Sequence, residues 1–168
     1  MYPLYNMRIK TNSTLIVIVL LPALVQSQTI PADKESLEKS EGAGMASYAD
    51  INGYPGPKHV LEMQETLKLT DDQIKDISAI IDEMSENARA TGEMIIAKER
   101  ELESSFRLGK AGESYTKQLA TEIGSLRGAL RSVHLNAHIQ AKSVLTKEQI
   151  ATYMAIRHKE HKQKKGSH

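Results

Sequence analysis

The chain has no cysteine and no tryptophan, and only one phenylalanine and six tyrosines among its 168 residues. Without cysteine there is no disulfide, no thiolate metal site and no lipid-modified cysteine behind a leader. A surplus of one charge is also missing: 22 basic residues face 21 acidic ones, which excludes the basic footprint of a nucleic-acid-binding protein. There is no glycine-rich phosphate loop, no His-Glu-x-x-His and no serine in a nucleophile setting, so the sequence carries no enzyme constellation. No segment alternates with period two, and no sheet is expected.

One long apolar run is present, Leu15 to Val25, interrupted by Pro22 and preceded by Arg8 and Lys10. Val25 and Ser27 are small enough for the positions before a signal-peptidase cut. Residues 1–27 therefore read as a secretory signal cleaved after about Ser27, with Met7 as an alternative start. The competing reading, a retained anchor, needs a span of about 20 apolar residues, and this run is shorter and contains a proline. Loss of residues 1–27 removes two basic and no acidic residues and leaves 20 basic against 21 acidic, a net of −1. An exported protein without disulfides relies on helix packing, metal or a partner for its stability.

Behind the signal, residues 28–42 are polar and without periodicity, a flexible leader. A helical domain is expected over residues 43–163 and a basic tail over 164–168. Within the domain, a short helical stretch near Met45 to Ile51 precedes the turn-forming Asn52-Gly53-Tyr54-Pro55-Gly56-Pro57. Pro57 suits the first turn of a further helix through Val60, Leu61, Gln64 and Leu67.

A five-residue signal then occurs twice, Leu69-Thr70-Asp71-Asp72-Gln73 and Leu145-Thr146-Lys147-Glu148-Gln149, each followed by isoleucine. Thr70 and Thr146 can accept from the backbone N–H three residues on, while Gln73 and Gln149 reach back to the cap N–H. Between the copies, Ile74, Ile77, Ile81, Met84, Ala88, Ile95, Leu102 and Phe106 recur at three- and four-residue steps. The pattern breaks at 109–113. It resumes through Tyr115, Leu119, Ile123, Leu126, Leu130, Val133, Ala137, Ala141 and Val144. The fold class is all-α: a long antiparallel helical hairpin flanked by short helices. Ile80, Ile96, Leu135 and Ile139 lie off the main seam, and a second copy of the chain is the expected cover for them.

These residues resemble the LTxxQ-motif periplasmic proteins, which include the Spy/CpxP refolding chaperones and related heavy-metal-resistance and metal-sensor proteins. Residues 52–62, from Asn52-Gly53-Tyr54-Pro55-Gly56-Pro57 through His59 to Glu62, are similar to the opening segment of a bacterial branch of that family. Leu130-Arg131-Ser132-Val133-His134-Leu135-Asn136-Ala137-His138 is similar to that branch's last long helix. The resemblance implies a four-helix-like fold, a cradle-shaped homodimer and residence in the periplasm. It implies one of two activities: ATP-independent binding of unfolded or misfolded envelope proteins, or binding and sensing of divalent metals. A third role, regulatory partner of a membrane sensor, is also open. The chaperone reading requires no cofactor; the metal reading takes Zn, Cu, Ni or Co.

Two residue groups are candidates for these roles. His134 and His138 stand four apart, so both rings point to one side of the return helix. With the hairpin turning at 109–113, facing residues sum to about 221, which sets His138 opposite Glu83 and His134 opposite Glu86. His59 and Met63 are also four apart, on the short helix expected at the open end. The resemblance implies that in metal-sensing relatives a leading-helix histidine, a carboxylate and a histidine pair meet. His59, Glu83, His134 and His138 follow that order, with Met63 as a soft axial contact. The alternative readings are ordinary interhelical pairs, His134 with Glu86 and His138 with Glu83, or a proton sensor. The second group is the flank: Ile80, Ile96, Leu135 and Ile139 with Arg127 and Arg131, either a client surface of mixed apolar and basic character or a solvated helix face. Met84, Met94 and Met154 fill core or flank, or add to an adaptable client surface.

Overall fold

The computed structural model describes residues 31–39, 42 and 44–165, with side chains through residue 159. The leader peptide assigned to residues 1–27 lies outside these. Among the described residues seven helices follow in order: α1 (Lys34–Glu38), α2 (Ser47–Ile51), α3 (Pro57–Glu62), α4 (Gln64–Leu67), α5 (Asp71–Arg107), α6 (Glu113–Val144) and α7 (Lys147–Lys165). No strand occurs among the described residues, and no helix there is long and apolar enough to cross a membrane.

Helices α5 and α6 form the expected hairpin. Thr70 starts α5 with a complete capping box: Gln73 N donates to Thr70 Oγ1 at 3.2 Å and Thr70 N donates to Gln73 Oε1 at 3.1 Å. At 37 residues α5 is about 55 Å long. It ends in a turn at Gly109, whose φ of 65° is costly for any side chain with a Cβ. Thr146 repeats the box before α7, with Gln149 N to Thr146 Oγ1 at 3.2 Å and Thr146 N to Gln149 Oε1 at 2.9 Å. The caps at Thr70, Gln73, Thr146 and Gln149 are therefore as the sequence indicates, and the two boxes lie side by side at the hairpin's open end.

The seam residues Ile77, Met84, Ala88, Ile95, Leu119, Ile123, Leu130, Ala137 and Ala141 are buried. Phe106 and Tyr115 are not; they stay 60% and 39% exposed because none of the described short helices reaches the closed end. The core is in two parts. One gathers Val60, Leu67, Ile77, Ala141, Leu145 and Tyr153 at the open end. The other joins Leu37 to Ala88, Ile95, Ile96 and Leu130 midway along the hairpin.

Two local details differ from the sequence reading. The helix expected to run on from Pro57 breaks at Met63, whose N–H bonds to both His59 O and Val60 O. The bend lets Val60 and Leu67 reach the same core. The segment read as a leader contains an ordered helix, α1, with Leu37 buried on the hairpin. Five residues cannot show periodicity, and α1 depends on what it packs against rather than on propensity.

Candidate functional site

A cleft of about 320 Å³ opens between the hairpin and the α2–α3 segment. His59, His134 and His138 line it with Met84, Gly42 and Gly56. His138 Nδ1 donates to the Tyr54 carbonyl at 2.7 Å. A carbonyl only accepts, so this bond fixes the proton on Nδ1 and leaves Nε2 as the basic nitrogen. A Cβ on Gly56 would stand 3.1 Å from His138 Cε1 and 3.2 Å from His59 Nδ1, so glycine is what lets these two rings approach the same backbone.

His134 is 5% exposed, and its Nε2 is buried without a hydrogen-bond partner among the described residues. Its ring packs on Gly42, where an added Cβ would lie 3.2 Å from Nδ1. Burial pushes its pKa below the ordinary histidine value, and the nearby His138 and Lys58 push the same way. His134 is therefore a neutral imidazole in an apolar wall at neutral pH.

The floor is held by a clamp that sequence reasoning did not identify. Asp50 is 8% exposed and receives Tyr153 Oη–H at 2.6 Å and Arg157 Nη2–H at 3.0 Å. Tyr153 Oη in turn accepts from Gly56 N at 3.3 Å. Burial raises the Asp50 carboxyl's pKa, but the bonds from Tyr153 and Arg157 and the positive charges of Arg157 and His59 outweigh it, leaving it below its ordinary value. Burial beside Asp50 pushes the Tyr153 phenol up, so it stays protonated. One tyrosine thus ties α2, the turn before α3 and α7 together beneath the histidines.

The expected metal set is only partly assembled. His59, His134 and His138 share the cleft, but Glu83 is exposed and does not line it. Met84 takes that place, because one residue along a helix is a rotation of about 100° and Met84 and Ala88 occupy the seam. Glu86 is likewise exposed, so the alternative His–Glu pairs do not form; His138 uses the Tyr54 carbonyl instead. Met63 packs on the open-end core. Among the described residues, no three histidine or carboxylate side chains are placed to hold a metal ion.

The flank is also divided. Ile96 is buried under α1, and Ile80 packs on the open-end core, so the chain itself covers two of the positions expected to need a second copy. Leu135 is half-buried and Ile139 is 54% exposed. Arg131 is exposed, whereas Arg127 binds Asp33 and Glu99. Of the methionines, Met84 is buried and Met94 is 49% exposed. Around the cleft, Tyr48 is 69% and Ile51 49% exposed, and Lys142 Nζ sits 3.6 Å above the ring of Tyr54. The signal for the α1 contact was Gly92, an isolated glycine inside a long helical pattern. It was not specific, since Gly124 and Gly128 on α6 have open space around them.

A profile described as LTXXQ motif family protein matches residues 56–157, from the turn before α3 into α7. The chain belongs to the LTXXQ motif family. No curated protein and no solved structure matches it.

Proposed function

We propose that this chain is a non-catalytic periplasmic protein of Spy/CpxP type, exported by its leader, that holds unfolded or misfolded envelope proteins without ATP. The observation that carries the reading is the set of large apolar side chains left in solvent on a rigid helical frame. Tyr48, Ile51, Tyr54 and Ile139 all remain at least 36% exposed. Basic groups lie among them, with Lys142 over Tyr54 and Arg131 exposed on α6. Exposed apolar groups beside cations suit weak, adaptable contact with unfolded chains. A homodimer would extend this surface.

The test is suppression of aggregation of a reduced, unfolding protein by the processed chain. Reduced light scattering at a few-fold molar excess is expected, weakened by Ile139→Asp and Ile51→Asp. Unchanged scattering at excess would overturn the reading.

A second reading, divalent metal binding, is favoured by one observation: Nε2 of His138 is basic, and His59 lies against the same glycine. Titration with Zn²⁺, Cu²⁺, Ni²⁺ and Co²⁺ tests it. Affinity lost in His59→Ala/His138→Ala supports it, and affinity unaltered in that variant removes it.

A further inference from the structure

Helix α1 has five residues and one buried side chain, Leu37. So short a helix has no stability of its own, and its order derives from the surface beneath it. Leu37 is 3% exposed against Ala88, Ile95, Ile96 and Leu130. Its carbonyl oxygen comes so near α5 that a Cβ on Gly92 would lie 2.7 Å away, closer than non-bonded atoms tolerate. Four residues before Leu37, Asp33 takes both arms of Arg127, Nη1–H to Oδ2 at 2.7 Å and Nη2–H to Oδ1 at 3.2 Å. Arg127 is held in place from the other side by Glu99 at 2.9 Å. The surface thus offers an apolar seat, a notch for backbone at Gly92 and a guanidinium one turn away.

We infer that α1 is an intramolecular plug on a site that takes acidic, apolar segments of unfolded proteins, those with a carboxylate about one turn before a large aliphatic side chain. This rests on the holding activity proposed above and names where it acts. Charge complementarity selects the occupant: Arg127 faces Asp33 now and would face a client carboxylate after exchange. The plug is built to leave. Its apolar hold is small, Leu37 in the helix and Pro31 just before it, and its ion pair is half in water, with Asp33 42% and Arg127 35% exposed, a type of pair that salt screens readily. Once displaced, α1 loses its helix and regains chain entropy. While seated, it keeps Ile96 and Leu130 out of solvent.

The test uses the full processed chain. Asp33→Asn/Leu37→Ser removes the plug's ion pair and its helical apolar anchor without touching the seat. Gly92→Ala places a methyl where the Leu37 carbonyl sits, so it wedges α1 off and also closes the notch to a client backbone. The probe is reduced, carboxymethylated α-lactalbumin, a permanently unfolded acidic chain, followed by fluorescence anisotropy. Amide exchange over residues 34–39 reports the plug.

A plug seated nine-tenths of the time lowers apparent affinity about tenfold, so Asp33→Asn/Leu37→Ser should bind the probe about tenfold more tightly than wild type, whereas Gly92→Ala, which fills the notch for plug and client backbone alike, should release α1 without that gain. Their α1 amides should lose protection. Adding Arg127→Gln to the double variant should return affinity toward the wild-type value. Released α1 amides in Asp33→Asn/Leu37→Ser with unchanged or weaker binding, or a tenfold gain in Gly92→Ala, would overturn the plug and leave the holding activity standing. Protection of α1 retained in both variants would overturn the contacts on which the plug depends. Absence of probe binding by wild type and variants alike would overturn the holding activity itself, and the plug with it.

Discussion

Gln73 and Gln149 clasp each other through both halves of their amides, Gln73 Nε2 donating to Gln149 Oε1 at 2.9 Å and Gln149 Nε2 donating to Gln73 Oε1 at 3.0 Å. Each oxygen also accepts from the backbone N–H of its own threonine cap. Because those N–H groups can only donate, the oxygen and nitrogen of both amides are assigned by chemistry. The second amide hydrogens cross over: Gln73 Nε2 reaches Val144 O at the end of α6, and Gln149 Nε2 reaches Leu67 O at the end of α4. Each motif therefore opens one helix and closes the helix that precedes the other motif.

Gln73→Ala should remove a cap and leave the Val144 carbonyl without this donor. Roughly 1 kcal/mol for the cap and about 1 kcal/mol for each further bond give a loss of about 2–3 kcal/mol. Gln149→Ala should behave alike, and the double mutant should cost less than the two combined, with a coupling near 1 kcal/mol. Urea unfolding measures all three. Gln73→Glu separates the roles, since it keeps the acceptor of the capping box but has no N–H for Val144 or Gln149. Stability equal to wild type in that variant would show that the clasp contributes nothing.

The hairpin, its turn and its caps were legible in the sequence because period and capping are local properties. The helical phase of single positions was less so. Whether residue 83 or 84 faces the histidines depends on a rotation of about 100°, beyond what a pairing sum resolves. The clamp of Asp50, Tyr153 and Arg157 joins residues about a hundred positions apart, and no local pattern marks it. Nor could pattern reveal α1, whose order comes from Gly92 and Arg127 rather than from its own five residues. The histidines stood between. Spacing brought His134 and His138 to one side, but only the tertiary fold shows that one hydrogen-bonds a carbonyl while the other is buried with a nitrogen unpaired among the described residues.

Tyr153→Phe keeps the buried ring and deletes one oxygen. It should leave Asp50 with Arg157 alone and strip Gly56 N of its acceptor. The expected cost is about 2–3 kcal/mol, that of a bond to a charged group and an orphaned donor. The loss should also change the acid limb. Asp50 titrates below its ordinary 3.8 when folded. The stability this provides is present above that value and disappears as pH falls through the lower, folded one. With the phenol gone, the acid unfolding midpoint should move to higher pH. Circular dichroism against pH reads the shift, and coincident acid limbs would exclude a role for the phenol.

His134 governs a different window. Unfolded, it takes a proton near its ordinary 6.5; folded, burial and the neighbouring His138 and Lys58 hold that proton off to lower pH. The unfolded chain thus binds more protons between the two values, so stability is full above 6.5 and declines as pH falls toward the folded pKa, then levels off. Asp50 and Arg157 line the same cleft, but Asp50 already receives Arg157 and Tyr153, so its charge is largely spent before it could favour an imidazolium. Melting temperature should therefore fall from about pH 7.5 to about pH 5.5, in the range where histidine titrates. His134→Gln cannot take up the proton and should flatten that decline. Equal slopes in wild type and His134→Gln would place the acid sensitivity elsewhere. Amide exchange at pH 5.5 should show where the fold yields first, with the segment 44–56, which contributes Gly44, Met45, Ala46 and Asp50 to the cleft that His134 lines, opening before the hairpin.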